Sequence, residues 1–218
     1  MKPLGRDSSI PRPAAAPSGG PAAPARVSLA VLATLGTLAL AAWTTTSVIG
    51  RGLPELTTTE PLREVRHPHV VVLKSKRTLH LFDGDRLVRI YPIALGTQPS
   101  GQKLHAGDGR TPEGKFRICS RNPQSKYHRF LGIDYPDVPA AQRGLHDGLV
   151  SFGEFRDVVI AHNAGRCPSW STALGGGIGL HGHGSAGDWT AGCIALDDAD
   201  IEELYDVLRI GDEVEILP

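Results

Sequence analysis

The 218-residue chain has no excess of charge, with 23 Lys and Arg against 23 Asp and Glu. A nucleic-acid binder normally carries a basic stripe, so that class is set aside. No internal repeat is visible. Cysteine is scarce and its count is odd: Cys119, Cys167 and Cys193. In an oxidising compartment an odd count leaves either an intermolecular bridge or a free thiol. A Cys119–Cys167 bond would leave Cys193 free, but the sequence does not fix the pairing. Unpaired buried cysteines are the competing reading for Cys119 and Cys167.

Large apolar residues are nearly missing from residues 1–26, which are rich in Pro, Ala, Gly and Ser. Such a segment cannot bury enough surface to offset its ordering entropy, and it reads as a disordered arm. Charge then disappears from Val27 to Gly50. About 20 apolar residues suffice to cross a bilayer as a helix. Lys2, Arg6, Arg12 and Arg26 precede the run against a single acid, Asp7. By the positive-inside rule the arm is cytoplasmic and the remainder extracytoplasmic or periplasmic, on a single-pass anchor in the inner or cytoplasmic membrane. A cleaved signal segment is the alternative, since Ala39-Leu40-Ala41 resembles a cleavage site. Residues 51–68 read as a linker and residues 69–218 as one domain.

That domain reads as mainly β. His69 to Leu95 predicts strands around an Asp83-Gly84 turn, and a further strand starts over Lys115 to Ile118. Phe130, Ile133 and Tyr135 suggest another strand, and Val138 to Leu145 a short helix. Asp157–Ala161 (DVVIA) and Gly177–His181 (GIGLH) read as short central strands. Asp198 to Leu208 is the one clear helix, with Ile201, Leu204, Tyr205 and Leu208 on one face. Val214, Ile216 and Leu217 close the chain as a strand.

Chemistry concentrates in HGHGSAGDWTAGCIALDD, from His181 to Asp198. His181 and His183 are two apart, so in an extended segment both imidazoles face one side. A loop then returns to Cys193. A thiolate attacks carbonyls, a nearby imidazole can take its proton, and glycine amides such as that of Gly192 can support an oxyanion. Thr190 reads as a loop hydrogen-bonder. Lys103, Arg110 and Lys115 could attract an anionic peptide, but as scattered loop charges they read as solvated and are left out of the site. Asp108, Asp134, Tyr127 and His128 stay possible contacts without sharper support. The rival reading is a zinc hydrolase using His181, His183, Cys193 and His162. Against it, no motif supplies the remaining ligands and no Glu stands near as a general base. A catalytically silent binding domain is the third reading.

The assembly GLHG…DWTAGCIAL, with TPEGKFRI upstream, resembles the L,D-transpeptidase (YkuD-type) family of peptidoglycan enzymes. Its His-Gly…Ser/Thr-x-Gly-Cys pattern falls on His181, Gly182, Thr190, Gly192 and Cys193, followed by Ile194. Its upstream element falls on Gly109, Thr111, Pro112, Gly114 and Phe116. The resemblance spans about residues 69–218 and is closest to the murein transpeptidase-like branch with Asp-Trp-Thr-x-Gly-Cys-Ile-Ala. It implies a β-sandwich-like catalytic domain, Cys193 as nucleophile and His181 as its base. Gly182, His183, Thr190 and Gly192 would support substrate or oxyanion. It further implies peptidoglycan stem peptides as partners, with no metal or cofactor. Family enzymes attack the carbonyl of an L-centre diamino acid, release D-Ala and pass the acyl group to an amine. Water as acceptor gives carboxypeptidase or amidase activity instead. The chain departs from the pattern at Ala195, where many members have Arg or Asn, and at Ala191, often His.

Overall fold

The structure is a computed structural model and describes residues 62–218. The predicted arm, the membrane span or signal over residues 27–50 and most of the linker lie outside the described residues. Among the described residues no helix is long and apolar enough to cross a membrane.

Eight strands among the described residues form one sheet. They are β1 (Pro68–Leu73), β2 (Thr78–Asp83), β3 (Arg86–Pro92), β4 (Gly114–Ser125), β5 (His128–Ile133), β6 (Gly179–His181), β7 (Ile194–Ala195) and β8 (Glu213–Leu217). Their order is β3-β2-β1-β8-β4-β5-β6-β7. The alternation of apolar residues dictates the register. Leu81, Val70, Val214 and Phe116 align in one cross-strand row, and Leu79, Val72 and Ile216 in the next. Each of these side chains is buried in the main core. Burial of one such side chain contributes roughly 1.5–3 kcal/mol.

The expected β-sandwich is instead this single sheet, curled back on itself. The long β4 pairs with β8 over its first half and with β5 over its second, with register shifts on the β5 side. Beyond β3, Ala94 bridges to Ala195 in β7, and Gly96 bridges to Thr190. The chain leaving one edge strand thus pairs with the other edge strand.

Among the described residues three α-helices accompany the sheet: α1 (Val138–His146), where a short helix was expected, α2 (Phe152–Asn163), which was not expected, and α3 (Asp198–Val207). The last matches expectation and buries Ile201, Leu204 and the following Leu208 in the main core. The DVVIA segment, expected as a strand, lies inside α2. Ser151 and Glu154 form a reciprocal capping box that starts the helix there, satisfying backbone amides a strand would leave for a ladder. Val158 then packs with Ala141, Val150 and Leu174 in a second, smaller core. Tertiary burial and the cap together override β-branched propensity.

Cys119 on β4 is bonded to Cys167 after α2, at a sequence separation of 48. The enclosed span contains β5, α1 and α2. Closing a loop of that length removes unfolded-state entropy worth about 2–4 kcal/mol. A Cys119→Ala/Cys167→Ala double variant is therefore expected to lose about that much stability in denaturant titration. An unchanged midpoint would contradict it.

Candidate active site

The site is built on the β6–β7 pair. These strands run parallel, with Leu180 beside Ile194 and His181 beside Ala195. Cys193 directly precedes β7, so continuing the register puts its side chain on the same sheet face as Ala195 and His181. Leu180 and Ile194 point the other way into the core.

Thr190 shapes the turn that delivers Cys193. Its hydroxyl donates to Cys193 O at 2.8 Å and accepts from Gly192 N at 3.0 Å. The Gly192 amide is thereby spent inside the turn, which removes it as the expected oxyanion donor. Among the described residues the Cys193 amide makes no hydrogen bond. Gly192 itself is required by geometry: φ is +133°, and a Cβ would sit 2.6 Å from Arg110 O. Asp188 anchors the loop from outside. It accepts Leu95 N at 2.9 Å and pairs with Arg77 at 2.7 Å.

His181 is 2 % exposed. Its Nδ1 lies 2.8 Å from Gly182 O, and since a carbonyl only accepts, Nδ1 carries the proton and Nε2 keeps its lone pair. Tyr127 stacks on the ring at 4.6 Å, and Trp189 meets it edge-on at 5.5 Å. Burial pushes the imidazole below its usual pKa, and the His183 charge adds to that; the Gly182 carbonyl opposes both. Gly182 has no room for a side chain, because a Cβ would lie 2.3 Å from Asp198 Oδ1. That carboxylate accepts His183 N at 2.8 Å. His183 is exposed in a left-handed conformation, φ 78°. It borders a separate open pocket of about 360 Å³ with Gly184, Ala186 and Trp189.

Cys193 is the free cysteine. Its thiol donates to Gly177 O at 3.5 Å rather than to His181. It opens into a cavity of about 280 Å³, bordered by Lys103, Ala106, Trp170 and the Gly175–Gly177 run. Burial raises the thiol above its usual pKa, while the Gly179 backbone and the Lys103 charge pull it down. Thiol and imidazole are therefore both neutral at rest near pH 7, on one face of the sheet.

The structure corrects the reading of the upstream loop. Lys103, expected to be solvated, is 3 % exposed. Asp108 binds it at 2.7 Å and also accepts the amides of Leu104, His105 and Arg110. Desolvation raises the Asp108 pKa, but these donors outweigh it and hold the carboxyl at about 2. The signal available in the sequence was the Lys103–Asp108 pair flanking a glycine turn. Tyr127, left unsupported, covers His181, and Trp170, not singled out, borders the cavity. Lys115 is exposed and pairs with Glu213 and Glu215, away from these residues. His162 is held by Pro136 O and Asp134 beside α1. It does not join His181, His183 and Cys193. Among the described residues no three His, Cys, Asp or Glu side chains converge as a metal site.

The L,D-transpeptidase catalytic domain (YkuD) family matches residues 67–216. No curated protein matches the chain. Among solved structures, the L,D-transpeptidase (residues 123–326) from Xylanimonas cellulosilytica is 18 % identical, with a TM-score of 0.41 over 71 % of this chain and 62 % of that one. The helical cell shape determining protein Pgp2 from Campylobacter jejuni is 21 % identical, with a TM-score of 0.48 over 69 % of this chain and 47 % of that one. The match thus spans about three fifths of the first structure and about half of the second. The turn braced by Thr190, the buried His181 and the free Cys193 all fall inside the matched span, and the chain belongs to the L,D-transpeptidase catalytic-domain family.

Proposed function

We propose that this protein is a cysteine acyltransferase of the cell wall, with a peptidoglycan stem peptide as acyl donor. The observation that carries the reading is a free thiol in a cavity, on the same sheet face as a buried imidazole whose Nε2 is unprotonated. Cys193 is the nucleophile and His181 the base. The thiol proton passes to Nε2 as Sγ bonds to the carbonyl carbon of the donor's L-centre, and the carbonyl electron pair moves to oxygen. The Cys193 amide is the donor available to that oxyanion. Collapse breaks the C–N bond, the departing D-residue amine takes the proton from His181, and a thioester remains. An acceptor amine then attacks the thioester and gives its proton to His181; the C–S bond breaks and Cys193 regains its proton. Water in place of the amine makes the same cycle a carboxypeptidase.

Location is part of the proposal. The charge-free run over residues 27–50 anchors the chain, with the catalytic domain on the extracytoplasmic side. The Cys119–Cys167 bond supports that side, since such bonds persist in oxidising compartments.

Two outcomes follow. A carbapenem, whose strained amide resembles the donor acyl centre, forms a one-to-one adduct on Cys193 visible by intact-protein mass spectrometry. The adduct is absent in Cys193→Ala and forms at least about a hundredfold more slowly in His181→Ala, the scale of a lost general base. An adduct that survives Cys193→Ala would refute the assignment. In pH–rate profiles, a depressed His181 pKa means the base form persists into mild acid. The acidic limb of kcat/KM therefore has its midpoint below the ordinary histidine value of 6.5. Removing the His183 charge (His183→Ala) moves that midpoint upward. A limb at pH 7 or above would instead indicate a different titrating group.

A further inference from the structure

We propose that Lys103 is an anion-binding residue of this site, holding a carboxylate of the acyl donor in the cavity that Cys193 opens into. Its ammonium has three donors, of which one goes to Asp108 Oδ1 at 2.7 Å and one to His105 O at 3.1 Å. The third has no protein acceptor among the described residues. Of the side chains that border the cavity, Lys103 is the one that carries a formal charge. Asp108, which balances it, is not part of the lining. It also accepts three backbone amides, those of Leu104, His105 and Arg110. Lys103 also borders Gly175, where a Cβ would come within 3.4 Å of its Cε.

The rest of the cavity fits a short peptide end. Ala106 and the half-exposed Trp170 supply apolar wall, and the glycine run leaves backbone in place of side chains. Its volume of about 280 Å³ lies just under the roughly 300–1,000 Å³ of drug-sized ligand pockets. A carboxylate beside a small side chain meets these constraints, with the acyl carbon left at Cys193. Two donor groups have that chemistry: the C-terminal carboxylate of the leaving residue and the side-chain carboxylate of the diamino acid. The choice between them rests on the acyl-transfer reading above; the anion site does not.

The test uses two thiol reagents that differ in charge, iodoacetate and iodoacetamide. Cys193 is the free thiol of the chain, and the ratio of their rates cancels any change in thiolate fraction. Lys103→Met lowers the iodoacetate-to-iodoacetamide ratio by about tenfold, the scale of one charge-assisted hydrogen bond, and Lys103→Arg restores most of it. Asp108 keeps three amide donors in either variant. An unchanged ratio in Lys103→Met overturns the proposal. On the unsubstituted protein, N-acetyl-D-alanine slows iodoacetamide alkylation and N-acetyl-D-alaninamide does not; equal protection by both also overturns it. With stem-peptide donors, Lys103→Met raises KM about tenfold for the parent and leaves it unchanged for the one analogue, C-terminal amide or side-chain amide, that lacks the bound carboxylate. Equal loss on all donors assigns Lys103 a structural role and overturns the proposal. If no donor turns over but the alkylation ratio responds, the acyl-transfer reading falls and the anion site stands.

Discussion

The site depends on a backbone clasp. Ala94 N donates to Ala195 O at 2.9 Å, and Ala195 N returns a bond to Ala94 O at 2.8 Å. Just beyond, Thr190 N reaches Leu95 O and Thr97 N reaches Thr190 O. The turn carrying Cys193 is therefore gripped on one side by β6 and on the other by residues 94–97. Glycine makes this fit possible: a Cβ on Gly96 would lie 2.1 Å from Gly109 O and 3.1 Å from Gly192 Cα. Three backbone segments meet where no side chain can stand. The proposed nucleophile is thus held against a sheet rather than on a free loop, the condition under which a site's geometry holds to a fraction of an ångström.

Much of the fold was legible because period-two alternation and the Asp83-Gly84 turn are local signals. Both hold in β1 and β2, while a register shift between Leu81 and Phe82 interrupts the pairing with β3. The error at Asp157–Ala161 arose from reading β-branched residues alone, when Ser151-x-x-Glu154 a few positions earlier already marked a helix start. The curl of the sheet was not legible, since it rests on the short pairing of residues 94–97 with Thr190 and Ala195, which are far apart in sequence. The same holds for the site. His181 and Cys193 stood out by residue type, but Tyr127 and Trp170 reach the site through tertiary folding. Lys103 looked like any loop charge because its burial depends on Asp108 gathering three amides around it.

Neutrality of the resting pair has a physical cause and a cost. His181 is buried and Cys193 partly so, and forming a thiolate and an imidazolium there is unfavourable until something offsets the separated charge. In the proposed mechanism a polarised carbonyl carbon that accepts the sulfur electrons does so, and the charge passes to an oxygen beside the Cys193 amide. On the proposed reading the resting thiol is quiet and responds to a positioned acyl group, which suits a thiol that must not be lost to side reactions.

The Cys119–Cys167 bond has a further consequence in the order of the chain. Three cysteines allow three pairings, and two of them would consume Cys193. Both bonded partners precede Cys193 in sequence. Under the proposed export, with the chain threaded N-terminus first into an oxidising space, both of these sulfurs emerge before the third. On that proposal sequence order alone would act as a proofreading device, bringing the last cysteine to a molecule whose other thiols are already spent.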